Sequence, residues 1–424
     1  MRLSLFHLLF PSPMLLRDAL PPARPTGHLV LKDEAERGLT GGYPWAFAGQ
    51  IARVEGTPAT GDAVTIASAS GQALGTGLYH GEAGVAFRLV TREMDALLDD
   101  AFWHRRLAAA LALRETFFAD AMNRGDTRHY RLAFGEADGL PGTTIDRYED
   151  VLTLTTLAAG MDRRTPVLVD ALRDLVAPSA IVARNDTALR RKDGLDETKG
   201  VIDGAYGGPV EISEDGVRCE VDVMGGLKTG FFLDQRLNRS VVGRMARGRR
   251  VLDVFCADGG FGLHAANGGA ASVRFLDSSA SALTRVRANA ERSGLGHVPV
   301  ETERADALER LGEMVTEKQR YDLVVLDPPA FARTKHHHDA AVRAYQRVNI
   351  SGMRLLDDGG LLATASCSQP ISPDDFTKMV RYAARRAGVR LTLLHRAGQP
   401  PDHPVLDAMA ETEYLKFHLY RIER

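Results

Sequence analysis

The sequence predicts an α/β protein whose C-terminal half is a doubly wound, Rossmann-like sheet, preceded by a small β-barrel-like domain and a small α+β domain. Apolar strands alternate with helices from about residue 216, which is typical of a mostly parallel sheet. Short strands between Gly-rich turns come first in the chain, and strands mixed with helices lie between these two regions. The length of 424 residues suits about two to four domains.

Short strands and one long helical pattern predict the first two domains. The first domain is expected over residues 27–94, with strands at 63–68 and 84–90. The second is expected over 95–215 and begins with a helix at 95–122. The other elements predicted in the second domain are strands at 130–134, 151–157 and 180–184 and a helix at 163–176.

The third domain, residues 216–424, alternates strands and helices throughout. The predicted strands are 251–255, 272–276, 298–301, 321–326 and 360–366, with two more near 390–395 and 414–421. The predicted helices begin at Phe261 and span 279–293, 306–316, 339–356 and 373–387. Ligands of such sheets bind at the carboxyl ends of the strands, so the residues that follow each strand are the first candidates for a site.

Composition excludes several classes of protein. Apolar residues make up 44% and charged residues 25%, which excludes a mainly disordered or fibrous chain. The formal charge of −2 excludes a polybasic nucleic-acid arm. Divided along the chain, the charge is −1 over residues 1–95, −6 over 96–215 and +5 over 216–424. The C-terminal half is therefore the part that could attract an anion.

Cysteine usage and the N-terminus bear on location. The three cysteines lie far apart and form no CxxC pair, so we expect neither a metal site nor disulfides, and a reducing cytoplasm fits best. No apolar run approaches the ~20 residues of a membrane span. Residues 1–26 form an N-terminal extension, and Pro11 and Pro13 interrupt its apolar start. A disordered extension or an early start codon explains it better than a signal peptide.

The ends of the predicted strands carry glycines and carboxylates suited to a cofactor. The predicted cofactor-binding residues are Asp253, Phe255, Asp258, Gly259, Gly260, Asp277, Ser278, Asp306, Asp327 and Pro328. The glycines let the backbone approach a ligand closely, and Asp277 can accept both ribose hydroxyls. An alternative is that Asp253 and Asp277 only cap turns.

The charge of this turn favours one class of cofactor over another. A nicotinamide dehydrogenase would also have glycines followed by an acidic residue about 20 residues later. However, the turn lacks a full G-x-G-x-x-G and contains Asp258, which would repel pyrophosphate. S-adenosylmethionine carries a sulfonium and an ammonium and no phosphate, so acidic residues suit it.

The motifs together resemble a known family. VLDVFCADGGFGLHAA, FLDSSASAL, DLVVLDPPAFARTK and ATASCSQPIS resemble the first, second, fourth and sixth motifs of class I S-adenosylmethionine-dependent methyltransferases. More specific stretches are PWAF (44–47), GEADGLPGTTIDRY (135–148), GGLKTGFFLDQRLNR (225–239), DHP (402–404) and EYLK (413–416). With these, the chain resembles the large-subunit ribosomal RNA cytosine-C5 methyltransferases. The resemblance implies a PUA domain at residues 27–94, S-adenosylmethionine as cofactor and RNA as partner.

Cytosine-C5 chemistry needs an activated cysteine, because C5 is a poor nucleophile until a thiolate adds to C6. Cys367, in ATASCS at a predicted strand end, is the expected nucleophile; Cys256 and Cys219 are weaker candidates. Asp327 can accept the exocyclic amine or stabilise protonation near N3. The base that removes the C5 proton stays unassigned, with water and Asp327 as candidates. The resemblance places Lys228, Gln235 and Arg236 at the cofactor pocket; ion pairs with surface acids are the alternative.

Residues near the strand ends that carry Asp327 and Cys367 could bind RNA once the target base leaves its stack. The predicted RNA-binding residues are Trp45, Phe331, Arg333, Lys335, Arg343 and Arg347. For the cations the alternative is a solvated charged face, and for Phe331 and Trp45 it is ordinary packing. Two other functions stay open: methylation of another base, and a non-catalytic PUA-type RNA-binding factor. The sequence does not determine the oligomeric state, and a homodimer is one option.

Overall fold

The structure is a computed structural model that describes residues 20–226, 228–332 and 338–424. A six-stranded sheet, in the order β2-β6-β5-β4-β1-β3, forms its N-terminal part. Its elements are β1 (Gly27–Leu31), α1 (Glu36–Thr40), β2 (Trp45–Phe47), β3 (Ile51–Gly56), β4 (Ala63–Ala67), β5 (Ala73–Tyr79) and β6 (Val85–Thr91).

A long helix leads from this sheet to a five-stranded sheet in the order β11-β10-β9-β8-β7. The elements are α2 (Asp100–Asn123), β7 (His129–Phe134), β8 (Thr143–Tyr148), β9 (Val151–Thr156), α3 (Ala159–Asp162), α4 (Thr165–Val176), β10 (Ala180–Asn185) and β11 (Thr198–Gly204). A hairpin of β12 (Val210–Glu214) and β13 (Val217–Val221) follows.

The C-terminal part contains a seven-stranded sheet in the order β16-β15-β14-β17-β18-β20-β19. Its elements are α5 (Arg236–Arg244), β14 (Arg250–Val254), α6 (Gly260–Asn267), β15 (Ser272–Asp277), α7 (Ala280–Arg292), β16 (Val300–Arg304), α8 (Ala307–Thr316), β17 (Tyr321–Leu326), α9 (His338–Leu355), β18 (Leu356–Ser366), α10 (Pro373–Ala387), β19 (Arg390–Ala397) and β20 (Lys416–Glu423). Short 3₁₀ turns lie at Ala48–Gln50, Gly135–Asp138, Ala188–Asp193, Leu233–Gln235 and Ala410–Thr412.

The predicted α/β class, with a mostly parallel C-terminal sheet, is confirmed. Strands β14 to β18 pair in parallel, and β20 pairs antiparallel with both β18 and β19. Side chains alternate between the two faces: Leu323 and Val325 belong to one buried cluster, and Val324 and Leu326 to the other. Burial on both faces explains why these strands read as continuous apolar runs.

Several predicted element boundaries were wrong, and the strand expected at 360–366 begins earlier, at Leu356. Two of the errors have clear local reasons. The helix expected from residue 95 begins at Asp100, because Asp95 has a left-handed φ of 55° and Asp99 caps the helix by accepting the Phe102 N–H at 2.8 Å. The strand expected at 298–301 begins at Val300, since Pro299 has no N–H to donate to a strand ladder. The domain boundaries expected between these sheets stay a prediction.

Specific contacts join the sheets to one another. The Arg164 guanidinium donates to the Gly61 carbonyl at 2.7 Å, joining the second sheet to the first. Asp402 accepts the Arg131 N–H at 2.9 Å, so the loop before β20 is held on the second sheet. The Tyr43 hydroxyl donates to Glu411 at 3.2 Å in the same loop. The DHP segment therefore has a structural use, as part of the junction between the sheets.

Candidate active site

The turn after β14 adopts an unusual backbone conformation. Phe255, Ala257 and Gly259 have φ values of 61°, 46° and 86°, in the left-handed region. For the two residues with side chains this costs about 1–3 kcal/mol each, and such strain is concentrated at functional sites. The Phe255 and Ala257 N–H groups donate to the Leu276 carbonyl (2.9 Å) and the Asp277 carboxylate (3.0 Å). The β15 end therefore holds this turn in place.

Asp253 of β14 is buried next to the turn, and one of its carboxyl oxygens has no partner among the described residues. Its Oδ2 accepts the Gly262 N–H at 2.8 Å, while its Oδ1 has no hydrogen-bond partner among the described residues. Burial, with Asp327 and Asp277 nearby, raises the pKa of Asp253 to about 8. An unpartnered carboxyl oxygen here fits a cationic ligand, because a buried polar atom without a partner is costly.

Other predicted cofactor residues lie around this turn. Asp277 is half-buried, and its Oδ1 accepts the Ser279 N–H at 2.8 Å. Ser278 is exposed beside it. Asp306 is exposed and caps α8 by accepting the Glu309 N–H at 3.1 Å. These three residues lie at the carboxyl edge of the sheet, with polar atoms open to a ligand.

Asp258 and Gly260 face protein groups. The Asp258 carboxylate pairs with Arg285 of α7 at 2.7 Å. A Cβ added at Gly260 would lie 2.9 Å from the Arg239 side chain, and one at Gly259 would lie 3.0 Å from Val286. The glycines expected to admit a ligand thus also admit close packing of α6 against its neighbours.

Asp327 follows β17 and lies beside Gln235. Its Oδ1 accepts from the Gln235 Nε2 at 3.0 Å, and the next residue, Pro328, is buried. The Gln235 Oε1 in turn accepts from Asn238 at 2.7 Å, which fixes the amide orientation. Burial, together with the Asp234 charge, raises the pKa of Asp327 to about 7. Asp327 can therefore exchange a proton near neutral pH.

Cys367 follows β18, the strand next to β17, so it lies on the same edge as Asp327. It is half-buried, whereas Cys219 and Cys256 are only 2% and 6% exposed. Burial and Asp327 raise the pKa of the Cys367 thiol to about 11, while Lys228 and Lys416 oppose that rise. Of the three thiols, Cys367 is therefore the most accessible to a substrate.

Asp234 and Tyr414 also belong to this site, although sequence reasoning gave them no role. The Asp234 Oδ2 accepts the Tyr414 hydroxyl at 2.7 Å and the Lys228 Nζ at 3.1 Å, and its Oδ1 has no partner among the described residues. Burial would raise the pKa of Asp234, but Lys228 and His403 hold it well below its usual range. Both residues lie inside FFLDQR and EYLK, two quoted stretches that could have indicated them.

The side chain of Arg236, which the resemblance placed at the cofactor pocket, contacts protein groups. Its guanidinium is buried at the junction of the sheets, where it contacts His129, lies 3.1 Å from Glu214, and stacks 4.7 Å over the Phe118 ring. Arg239 also contacts Glu214, at 2.6 and 2.9 Å. A buried guanidinium needs an anion, and Glu214 supplies it.

The predicted RNA-binding residues divide into three groups. Trp45 donates its indole N–H at 2.8 Å to Glu136, which lies in the turn between β7 and β8, and Phe331 packs 4.8 Å from the Tyr345 ring. Arg343 and Arg347 are exposed on α9. Arg333 and Lys335 lie outside the described residues. The two arginines are therefore the described candidates whose charged side chains are exposed to solvent.

Among the described residues, no three or more His, Cys, Asp or Glu side chains come together in a way that could hold a metal ion. In the same part of the chain, no helix combines the length and apolar character that crossing a bilayer requires.

The class of protein follows from family comparison. The family model of S-adenosylmethionine-dependent methyltransferases matches residues 138–421, and that of PUA-like domains matches residues 29–92. The turn after β14, with the free Asp253 oxygen, fits that cofactor. The chain is an S-adenosylmethionine-dependent methyltransferase with a PUA-like domain.

Individual relatives narrow this class. The ribosomal RNA large subunit methyltransferase I of Shewanella denitrificans is 39% identical over 396 residues, covering 93% of this chain and 99% of that protein. The chain belongs to the ribosomal RNA large subunit methyltransferase I family. A SAM-dependent methyltransferase from Streptococcus mutans has the same fold, with a TM-score of 0.78 at 20% identity over 93% of this chain and 99% of that one. A methyltransferase solved as a complex with SAH matches over 93% of this chain and 99% of its own, with a TM-score of 0.79 at 20% identity.

Proposed function

We propose that this protein methylates cytosine at C5 in large-subunit ribosomal RNA, through a covalent bond between the Cys367 sulfur and C6 of the base. The observation that carries the proposal is the pairing of a half-buried cysteine with a titratable carboxyl group: Cys367 follows β18, and Asp327 follows the adjacent β17. Family membership and the PUA-like domain support RNA as the substrate. A cytoplasmic location is expected for such an enzyme.

In this mechanism the cofactor, when bound, supplies an electrophilic methyl group. Asp253 and Asp277 would hold it from the strand ends, together with the exposed Ser278 and Asp306. Cys367 adds to C6 as a thiolate, which moves electrons towards C5 and N3. Asp327 protonates N3 in its acid form, or accepts the exocyclic amine in its ionised form. A pKa of about 7 makes both forms available to the enzyme.

The same geometry suggests how the target base is placed. Phe331, Tyr345 and Phe255 form an aromatic wall, with ring centroids 4.8 and 6.3 Å from Phe331. Half-buried Phe331 can contact a flipped base while it packs on Tyr345. Exposed Arg343 and Arg347 would bind phosphates next to that base. Arg333 and Lys335 belong to the same proposed surface by sequence.

Nucleoside mass spectrometry tests the proposal directly. Ribosomal RNA from a strain without the protein should lack one 5-methylcytosine, and the wild-type gene should restore it. A Cys367→Ala protein should not restore the mark, while Cys219→Ala, which changes a cysteine only 2% exposed in the hairpin, should restore it.

Three results would reject the proposal. Loss of a methylpurine in place of 5-methylcytosine would move the target to another base. Full activity of Cys367→Ala would refute the covalent mechanism. A protein that shows no S-adenosylmethionine binding by calorimetry would instead act as a non-catalytic RNA-binding factor.

A further inference from the structure

A groove with positively charged walls lies between helix α10 and the edge strand β19. It has a volume of about 440 Å³, and the residues that line it are Lys378, Arg381, Ala384, Arg385 and Leu391. The three cations occupy positions i, i+3 and i+7 of α10, so they share one face of the helix. No carboxylate is among the described residues that line this groove. The groove is therefore suited to an anion.

The pairing of β19 with β20 places a fourth cation on the same side of the sheet. Directly opposite residues of an antiparallel pair point to one face, and here Leu391 is opposite Ile422 and Arg396 is opposite His418. Ile422 belongs to the apolar cluster that α10 covers, and the His418 ring lies 5.1 Å from the ring of Phe376 on α10. Arg396 is exposed, so its charge is open to solvent on the side of the sheet that carries the groove.

The protein itself leaves these cations largely unneutralised. Residues 373–397 contain six Lys or Arg and two Asp. Arg381, Arg385 and Arg396 form no ion pair with any of the described residues. Lys378 lies 4.0 Å from a carboxylate in the first turn of α10, and its side chain is 74% exposed. The positive charge is therefore available to a partner molecule.

Exposed apolar side chains accompany the charge. Tyr382 of α10 is 40% exposed, and the Arg385 guanidinium lies 6.0 Å over its ring. Leu393 and Leu394 of β19 are 41% and 45% exposed. Cations beside an exposed aromatic ring fit a single-stranded nucleic acid, whose phosphates contact the cations and whose bases stack on the ring. A second copy of the chain, packed symmetrically on this surface, would instead bring arginines against arginines.

The groove extends to the level of the proposed active site. Strands β18 and β19 are both antiparallel to β20, so they run in the same direction. Ala397 ends β19, Ala365 precedes Cys367 by two residues, and both pair with Phe417 of β20. The end of β19 and the strand end that carries the cysteine therefore lie at the same edge of the sheet, with β20 between them. An RNA strand whose base enters the active site could continue along α10.

We propose that the groove between α10 and β19 binds the phosphate backbone of the RNA substrate beside the target nucleotide. The side chains that bind phosphate are Lys378, Arg381, Arg385 and Arg396, and Tyr382 stacks with a base. This inference rests on RNA being the substrate, as proposed above, and does not depend on which base is methylated or on the covalent step. Because the groove holds RNA away from the reacting atoms, it contributes to affinity and leaves the chemical step unchanged.

Binding of protein-free large-subunit ribosomal RNA, taken from a strain without this protein, tests the proposal across a range of salt concentrations. The test variant carries Arg381→Gln, Arg385→Gln and Arg396→Gln. Three lost phosphate contacts, at ~0.7 each for a single strand, should make the slope of log affinity against log salt shallower by about 2. At about 0.1 M salt the affinity should fall at least about tenfold.

A second triple variant removes the same charge elsewhere and is the matched control. It carries Arg173→Gln, Arg218→Gln and Arg250→Gln, at arginines that are each about half exposed and already paired with a carboxylate. Its slope and affinity should stay close to those of wild type. In steady-state methylation the test variant should show a raised KM for RNA, with kcat at saturating RNA and the affinity for S-adenosylmethionine unchanged.

Several outcomes would overturn the inference. They are an unchanged slope in the folded test variant, an equal loss in the control variant, and a wild-type dimer that the test variant converts to a monomer in sedimentation. If the test variant does not fold, ultraviolet crosslinking of wild-type protein to the same RNA decides: adducts are expected in peptides from 373–397, and adducts confined to other peptides would refute the proposal. An active Cys367→Ala protein would instead refute the proposed function and leave the binding result standing.

Discussion

Glu214 should be one of the most sensitive residues in the protein, although it touches no proposed substrate. Its carboxylate is 2% exposed and lies within 3.1 Å of Arg236, at 2.6 and 2.9 Å from Arg239, and 3.0 Å from His129. Burial would raise the pKa of Glu214, but Arg239 and the two histidines His129 and His264 hold it well below its usual range. Glu214 is thus the anion of a buried, cation-rich junction.

Glu214→Gln removes the charge and keeps the shape. The two guanidiniums, 6% and 2% exposed, would remain buried without that anion, and the new amide would direct N–H groups towards them. Breaking a buried pair in this way costs about 3–5 kcal/mol. A loss of that size is a large fraction of the ~5–15 kcal/mol that stabilises a typical protein.

Urea unfolding followed by circular dichroism measures the effect. Glu211→Gln is the matched control on the same strand β12, because Glu211 pairs with Arg218 at the surface, where both side chains are about half exposed. Such pairs contribute up to about 1 kcal/mol. If Glu214→Gln lost no more free energy of unfolding than Glu211→Gln, the role assigned to the buried junction would be wrong.

Three further predictions concern the cofactor turn and acid stability. Because the pKa of Asp253 is about 8, Asp253→Asn should weaken S-adenosylmethionine binding more at pH 8 than at pH 6.5, where the wild-type group is mostly protonated; calorimetry showing equal losses at both pH values would contradict this. Gly262→Ala would place a Cβ 2.2 Å from the Phe275 ring and should cost about 1–3 kcal/mol or more in thermal unfolding, whereas Gly296→Ala, with nothing within 4 Å, should cost little. Burial and Arg236 lower the pKa of His129 from its ordinary 6.5 to about 4 in the folded protein, so folding favours the neutral imidazole. The free energy of unfolding that this preference supplies is complete above pH 6.5 and falls by about 3 kcal/mol towards pH 4. A His129→Gln protein should show a shallower loss over that interval, and identical pH slopes would exclude the assignment.

Local patterns were enough to predict the C-terminal sheet. The apolar runs at 251–255 and 321–326 lie on buried central strands, and the helix expected at 373–387 has the bounds observed. The sequence also placed Cys367 and Asp327 at strand ends, and the order of strands brings those ends together. The fold of this sheet and the strand-end positions of Cys367 and Asp327 could therefore be predicted from periodicity and from the motifs.

Side-chain contacts between residues distant in sequence could not be predicted in this way. Arg236 meets Glu214 and His129 because a hairpin and a separate sheet come together there. Trp45 donates to Glu136, which is 91 residues away. Lys416 donates to the Ser368 carbonyl only because β20 enters the sheet next to β18. Such pairings depend on how the sheets pack, which no local pattern records.

The position of β20 bears on the order in which the active site forms. This strand is the seventh of its sheet in chain order, yet it lies between the fifth and sixth strands in space. During synthesis, domains generally fold as units. The strand that leads to Cys367 gains its second hydrogen-bonded neighbour only when β20, about fifty residues later in the chain, pairs with β18. The sheet that carries both the cofactor turn and Cys367 is therefore complete only when nearly the whole chain has been made.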